Sequence, residues 1–257
     1  MTVNFATIDK LIEEGFLMDS RFNSPAEIAS LVSKSGVTKS MLSLPKMILL
    51  GLMAGAFIAF GGAASDVAMH GVADVGLARV VAGVIFPVGL MLVVFTGSEL
   101  FTGNCLMIIP TLEKKIKVAS MLRNLVVVYI SNFVGAMIID LLITFSGQLN
   151  YSNGGLGAFT IKVALAKTTI NPATAIISGI LCNILVCLAI VMATGATDAI
   201  GKIFGVFFPI CAFVVCGFEH CVANMFYIPI GVMAAMNPEY VAKAQELYDI
   251  TAQQFQN

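Results

Sequence analysis

The sequence predicts an all-α, polytopic membrane protein in which two of the transmembrane helices are broken. Hydrophobic residues make up 58% of the 257 residues and charged residues only 11%, and the mean hydropathy is +0.95. Such a composition suits lipid rather than water. The uncharged runs are as long as the roughly 20 residues that a helix needs to cross a bilayer. Two of these runs contain a matching polar interruption, which predicts the breaks.

Five apolar regions follow one another along the chain, at 47–65, 80–98, 124–139, 168–197 and the pair 203–218 with 220–238. We therefore divide the chain into a cytoplasmic N-terminal segment with an amphipathic helix at 1–43, a transmembrane channel domain at 44–238 and a polar tail at 239–257. The N-terminal segment lacks the basic and then apolar start of a signal peptide. We expect the first span to act as its own insertion signal.

Basic residues predict the orientation, because Lys and Arg near span ends are retained on the cytoplasmic side. With the N-terminus inside, ten of the 14 Lys and Arg residues lie inside and four lie outside. The opposite orientation reverses this majority. We expect a multi-pass protein of the inner (plasma) membrane with a cytoplasmic N-terminus.

Two segments of the chain, 97–104 and 217–224, share the pattern Gly-x-Glu followed five residues after the Glu by Asn. Shifting the sequence by 120 residues aligns Glu99 with Glu219 and Asn104 with Asn224, and a Phe-Pro dipeptide precedes both copies. Three spans lie between the starts of the two units, so the units enter the membrane from opposite sides. Inverted repeats with broken helices are typical of transport proteins.

A lysine precedes each unit, and its assignment in the first unit is ambiguous from the sequence. A shift of 128 residues pairs Lys39 with Lys167, whereas a nearly equal spacing to the glutamate pairs Lys46 with Lys167. Both alternatives stay open at this point.

The paired breaks are expected to line a pore, because broken backbone in a bilayer needs protein or water around it and a carboxylate in a span needs a partner. Helix N-termini near Gly103 and Cys221, together with Lys167, favour a small anion. His220 and Thr102 are candidate hydrogen-bond donors or proton carriers. Asp140, in the third span, is interpreted as structural. Apolar residues that would keep this path narrow and dry are Phe86, Leu90, Leu100, Phe101 and Phe213.

The sequence lacks the residues that several other classes of function require. A net charge of -1 and the absence of a basic patch argue against nucleic acid. The six cysteines show no Cys-x-x-Cys pair and are interpreted as packing residues, so no metal and no cofactor are expected. A membrane enzyme using His220 and Cys221 lacks an orienting acid, and nucleotide-driven pumping lacks a phosphate-binding loop. We expect no catalytic residues.

At these residues the sequence resembles the formate/nitrite transporter family. The motifs that carry the resemblance lie at 97–104, 132–136, 181–189 and 217–225, and the match runs from about residue 25 to 237. The resemblance implies an aquaporin-like fold, a homopentamer in membrane lipid, and one pore per subunit that carries formate, nitrite or hydrosulfide.

The resemblance also implies roles by position. It implies that Leu100, Phe101 and Thr102 form a loop that gates the inner side. It further implies constrictions at Phe86, Leu90 and Phe213, a central hydrogen-bonding or proton-relaying group at His220, and a polar network at Lys167, Glu219 and Asn224.

Family members have a sixth span with an Asn that mirrors Asn132, and we expect this span to be absent from the sequence given.

The alternative functions are a proton-coupled secondary transporter of a weak acid and an aquaporin-like channel for neutral solutes. Asn171-Pro172-Ala173 copies the aquaporin tripeptide, but it occurs once and lies at the start of a span, away from either break.

Overall fold

The computed structural model describes residues 22–250, and this part of the chain forms twelve α-helices joined by short turns. The all-α prediction is therefore confirmed. The helices are α1 (Pro25–Ser40), α2 (Leu44–Met69), α3 (Val75–Ile85), α4 (Val88–Thr96), α5 (Phe101–Asn104), α6 (Ile108–Leu112), α7 (Val118–Ser146), α8 (Gly155–Thr168), α9 (Pro172–Gly195), α10 (Ala199–Cys216), α11 (Cys221–Ala234) and α12 (Pro238–Tyr248).

Five segments are long and apolar enough to cross a membrane: α2, α3 continued by α4, α7, α9 and α10. They contain between 18 and 29 residues, which at 1.5 Å per residue gives lengths of about 27 to 43 Å. The hydrocarbon core of a bilayer is about 30 Å thick. Each segment covers one of the predicted apolar regions, so the chain is a multi-pass membrane protein.

The helices form two successive units with the same element order. In the first unit α1 precedes the span α2, and in the second unit α8 precedes the span α9. Lys39 is the second-last residue of α1, and Lys167 is the second-last residue of α8. The interrupted span α3 and α4 corresponds to α10, and the segment Phe101–Leu112 corresponds to α11. The apolar regions did not predict α8, which ends where the fourth region begins.

Helix α1 packs against α6 and α9 at one end of the bundle. We call this the inner end and the opposite end the outer end. Ser24 caps its N-terminus in a capping box with Glu27, and Ile28, Val32 and Gly36 form a buried face at four-residue spacing. The Ser33 hydroxyl donates a hydrogen bond to the Glu113 carboxylate in the turn that precedes α7. That bond, with a smaller contribution from Lys115, lowers the pKa of Glu113 below its usual 4.5.

The spans α2 and α7 approach each other closely because small residues face the contact. A Cβ atom added at Gly55 would lie 1.9 Å from the Asn132 carbonyl oxygen, and one at Gly135 would lie 2.0 Å from the Leu52 carbonyl oxygen. Helix pairs in membranes rely on this kind of backbone contact. The approach brings the side chain of Asn132 next to the first break.

The tail that follows α11 turns sharply away from it. Asn237 caps the N-terminus of α12, and the axes of α11 and α12 differ by 108°. Helix α12 packs on α8, where the Tyr240 ring covers Gly157 and its hydroxyl donates to Asn150 Oδ1 at 2.6 Å. The part of the predicted tail at 251–257, like residues 1–21 of the predicted N-terminal segment, lies outside the described residues.

Candidate transport site

Both breaks have the same backbone geometry. Gly97 and Gly217 end α4 and α10 in the left-handed region, with φ of +67° and +71°, which a residue with a side chain adopts at a cost. The following amides, Ser98 N and Phe218 N, each donate to the carbonyl five residues earlier, at 3.0 and 3.1 Å. These are Schellman-type helix ends. The chain then runs extended before the next helix begins.

The inner break holds a buried ion pair. Lys39 Nζ lies 2.6 Å from Glu99 Oε1 and 2.9 Å from Asn104 Oδ1. Asn104 Nδ2 donates to Glu99 Oε2 at 2.6 Å and to Asn124 Oδ1 at 2.7 Å. Glu99 and Asn104 are both almost completely buried. The partner that a carboxylate inside a span requires is therefore Lys39.

The outer break repeats this arrangement. Lys167 Nζ lies 2.7 Å from Glu219 Oε1, and Asn224 Nδ2 donates to Glu219 Oε2 at 2.9 Å. In both breaks, the Asn five residues after the Glu therefore donates a hydrogen bond to the carboxylate oxygen that the lysine does not bind. Because Lys39 occupies in the first unit the place of Lys167 in the second, the ambiguity between Lys39 and Lys46 is resolved in favour of Lys39.

Three residues that support the breaks were not among the candidates from the sequence. Asn124 Nδ2 donates to the Lys39 carbonyl at 3.3 Å. Asn132 Nδ2 donates to the Glu99 carbonyl at 2.9 Å, and Asn132 Oδ1 accepts from Phe101 N at 2.9 Å. Ser178 Oγ accepts from Glu219 N at 2.9 Å. Polar side chains inside spans were the available signal, but the sequence does not show which of them meet a break.

Thr102 and His220 meet between the two breaks. Thr102 Oγ1 lies 3.2 Å from His220 Nε2, and both residues are buried. His220 is the N-cap of α11, and its Nδ1 accepts a hydrogen bond from Ala223 N at 2.9 Å. A backbone N–H can only donate, so Nδ1 carries no proton and the neutral ring holds its proton on Nε2. The hydrogen bond therefore runs from Nε2–H to the Thr102 hydroxyl, whose own O–H remains available as a donor.

Aromatic rings cover the outer side of this pair. The Phe213 ring stacks on the His220 ring with centroids 5.6 Å apart, and the Phe86 ring meets Phe213 edge to face at 5.6 Å. Leu90 and Leu100 are buried in the same apolar cluster. Of the five predicted constriction residues, Phe86 and Phe213 are therefore in direct ring contact.

Phe101 packs against a different aromatic ring. Its ring packs edge to face on Tyr129, with centroids 4.9 Å apart. Phe101 and Thr102 lie in the first turn of α5 rather than in a loop, and α5 begins two residues before the helix start that we expected near Gly103. Leu100 alone of the three is extended. The prediction that all three lie in a gating loop was therefore wrong about their conformation, because the Asn132 side chain holds Phe101 N at the helix start.

A cavity of about 440 Å³ reaches from the outer surface to His220. Phe86, Phe213 and His220 line this cavity, and so do Lys167 and Glu219. The remaining charged side chains on its wall are Asp66, Arg79 and Lys162. Cationic groups outnumber carboxylates around this cavity, which favours anions.

A second, more open groove of about 760 Å³ follows α9 and also reaches Thr102 and His220. In the first unit, α7 covers the equivalent face of α2. Within residues 22–250, no helix covers this face of α9. Asn183 Oδ1 and Asn224 Oδ1 are buried without a hydrogen-bond partner in this part of the molecule.

These features define a class: a multi-pass helical membrane protein with inverted repeats whose broken helices meet at a buried polar pair. The family model described as formate/nitrite transporter matches residues 26–255, and the chain belongs to the formate/nitrite transporter family.

Relatives and solved structures agree with this assignment. A probable formate transporter of Methanothermobacter thermautotrophicus is 42% identical over 233 residues, covering 84% of this chain and 85% of the relative. A formate channel of Bacillus thuringiensis is 40% identical over 216 residues, covering 83% of each. A solved pentameric formate channel with formate bound superimposes with a TM-score of 0.71 at 30% identity, covering 82% of this chain and 86% of that chain.

Proposed function

We propose that this protein passes small monovalent anions, formate, nitrite or hydrosulfide, through a pore in each subunit, with formate as the first candidate. The observation that carries the proposal is the buried Thr102 and His220 pair. It offers an Nε2–H and a hydroxyl, and it lies behind two aromatic rings. Similarity to formate channels favours formate.

The charged side chains around the breaks suit this role. Glu99 and Glu219 are each held by a lysine and an asparagine, so neither leaves an uncompensated negative charge on the path. Arg79, Lys162 and Lys167 raise the anion concentration in the outer cavity. An anion leaving water beside Lys167 then finds donors at His220, which offset part of its desolvation.

The second candidate is proton-coupled transport of a weak acid. The rings of Phe86 and Phe213 favour it, because an apolar constriction passes a neutral acid more easily than its anion. The hydrogen bond from Ala223 N to His220 Nδ1 weighs against an imidazolium relay, since a second ring proton would break that bond. In this alternative the proton must reach the substrate from another group.

Assembly and location are inferred from the solved relative and from charge. We propose a homopentamer in the inner membrane with a cytoplasmic N-terminus. The solved relative is pentameric, and other spans expose apolar side chains such as Val126 on α7 and Phe204 on α10. The topology predicted from the sequence assigns ten of the 14 basic residues to the cytoplasmic side.

A further transmembrane helix is proposed for the groove along α9. In the first unit Asn132 of α7 binds the Gly51 and Glu99 carbonyls and Phe101 N. In the second unit, the corresponding backbone groups are the carbonyls of Gly179 and Glu219 and the amide of Cys221. They line the groove with Asn183 and Asn224, whose side-chain oxygens have no hydrogen-bond partner within residues 22–250. An apolar helix with an inward asparagine would satisfy these groups and close the pore to lipid.

Spin labels on α9 test this helix. Ile180 lines the groove, whereas Ile177 is exposed and does not line it. With the protein in liposomes, we expect a label at Ile180 to be immobile and shielded from oxygen, and a label at Ile177 to be more accessible. Equal oxygen accessibility at the two positions would contradict the proposal.

Flux in proteoliposomes tests the transport function. We expect uptake of labelled formate without a nucleotide, with nitrite and hydrosulfide compared side by side. Water and glycerol flux, followed by liposome swelling, distinguish the aquaporin-like alternative. Flux of water or glycerol without any anion flux would contradict the proposal. Formate uptake that stops when the proton gradient is dissipated would favour the proton-coupled candidate.

A further inference from the structure

Asp66 is a carboxyl group in the outer cavity that the proposed transport path does not use. It lies in α2, near the outer end of the span, and is 3% exposed. Its Oδ2 is buried without a hydrogen-bond partner in the part of the chain that the structure describes. An ionised carboxylate in such a place is costly, and a charged residue within a span is by default a candidate for function.

The groups that face Asp66 come from every element around the cavity. They are Arg79 of α3, Lys162 and Lys167 of α8, Glu219 and His220 of the outer break, and Tyr227 of α11. Lys167 is bound to Glu219 at 2.7 Å. Lys162 Nζ lies over the Tyr248 ring at 4.4 Å, and Arg79 Nη1 donates to the Val215 carbonyl at 3.3 Å. Among the described residues, no cation lies within ion-pair distance of Asp66.

Two opposing influences therefore act on this carboxyl group. Burial without a partner favours the protonated form, because a neutral acid loses less hydration energy. The positive charge of the Lys167 ammonium favours the ionised form of Asp66. Since the two influences oppose each other, the charge of Asp66 responds to a further charge placed in the cavity.

We propose that Asp66 is a proton-binding group of the outer cavity whose charge sets how readily an anion occupies it. This inference rests on the proposed function and deepens it by adding a residue that tunes access to the site. An anion beside Lys167 disfavours a second negative charge on the same wall, so anion binding takes up a proton on Asp66 from the outer solution. When the anion leaves, the proton returns to that solution.

The coupling is reciprocal. If the anion raises the affinity of Asp66 for a proton, protonation of Asp66 raises the affinity of the cavity for the anion by the same factor. Acidification of the outer side therefore increases anion occupancy without a proton crossing the membrane. This differs from symport, in which the proton travels with the substrate.

The test compares formate flux at external pH values from about 5 to about 8, a range in which formate stays largely ionised. Asp66→Asn fixes the neutral form. We expect the variant to match the wild type at the acidic end and to exceed it by about five-fold or more at the alkaline end, the lower limit of typical coupling between sites. Asp66→Glu is expected to restore the pH dependence.

Asp140→Asn is the matched control. Asp140 is also a buried span carboxyl with unpartnered oxygens within residues 22–250, but it does not line the outer cavity. We expect its pH profile to follow the wild type. Parallel profiles for the wild type and Asp66→Asn, or the same change in both variants, would overturn the proposal.

A second readout separates this inference from the transport function itself. Infrared difference spectra between acidic and neutral samples, with formate added, are expected to show a protonated-carboxyl band that Asp66→Asn removes. A wild type that carries no anion refutes the proposed function, and the band still decides whether Asp66 binds a proton. A band that survives in Asp66→Asn refutes the role of Asp66.

Discussion

Thr102 and His220 are 118 positions apart in the sequence, and their side chains lie 3.2 Å apart in the interior of the bundle. Each comes from the restart of a different broken span. Within residues 22–250, neither side chain has a hydrogen bond to a third side chain. The contact therefore depends on both breaks being held in place. The ion pairs of Lys39 with Glu99 and of Lys167 with Glu219 provide that support.

We expect formate flux to depend on the hydroxyl group of Thr102 more than on the shape of the side chain. Valine has the same shape but leaves Nε2–H of His220 without an acceptor and removes one donor from the path. We expect Thr102→Val to lower formate flux by about ten-fold, the value of one net hydrogen bond. Thr102→Ser keeps the hydroxyl and is expected to stay within about two-fold of the wild type. Equal flux in the two variants would rule out the hydroxyl as a donor.

Substitutions at His220 separate its two tasks. Asparagine is a good N-cap, so His220→Asn is expected to preserve folding and assembly while changing flux or its pH profile. Leucine supplies neither a cap nor a donor, and His220→Leu is expected to lose about 1 kcal/mol of stability together with the flux. The measurements are formate uptake and thermal unfolding in detergent.

His70→Asn is the control for these variants, because His70 bonds Ser152 near the outer surface and does not line either cavity. We expect the wild-type pH profile in this variant. If His220→Asn also kept that profile, His220 would have no proton-relaying role.

Removing one partner of the inner ion pair is expected to destabilise the protein strongly. Glu99 is almost fully buried, and Lys39→Met leaves its carboxylate with only Asn104 as a side-chain partner. A broken buried pair costs about 3 kcal/mol or more. The double variant Lys39→Met with Glu99→Gln is expected to recover most of this loss, since no lone charge remains.

Lys46→Met tests whether the effect is specific, because Lys46 is exposed and was the other candidate from the sequence. Its thermal midpoint in detergent should equal that of the wild type. A larger loss at Lys46 than at Lys39 would contradict the assignment of the pair.

Acid is expected to loosen α1 from the turn before α7. The Ser33 hydroxyl, and then Lys115, lower the pKa of Glu113 below 4.5. A lowered pKa in the folded state gives stability that is present above the unfolded value and is lost as the pH falls through the folded value. The difference in thermal midpoint between the wild type and Ser33→Ala should therefore be full at neutral pH and shrink progressively as the pH falls below the unfolded value of about 4.3. A difference that persists in acid would show that Glu113 is not the partner that matters.

The spans and the repeat could be predicted from the sequence because both are local properties. Apolar length predicted the spans α2, α3 with α4, α7, α9 and α10. The recurrence of Glu and Asn at one spacing predicted the two matching breaks. The tripeptide at Asn171 was correctly separated from the breaks, since Asn171 only caps α9.

Contacts between distant residues could not be predicted in the same way. Nothing local indicates that Asn132 reaches Phe101 N, or that Phe101 turns toward Tyr129. The choice of Lys39 over Lys46 also required the position of α1, which depends on its packing against residues far along the chain. Pairing between remote polar groups is a property of the packed bundle.

The hydrogen bond from Ala223 N to His220 Nδ1 has a consequence for the energy economy of the membrane. A ring whose second nitrogen is occupied has one exchangeable proton and no vacant acceptor to receive another from the opposite side. A wire of water molecules that reached this ring would end there. On the proposed transport path, the bond that starts α11 would therefore also keep hydrogen ions from crossing the membrane through this ring.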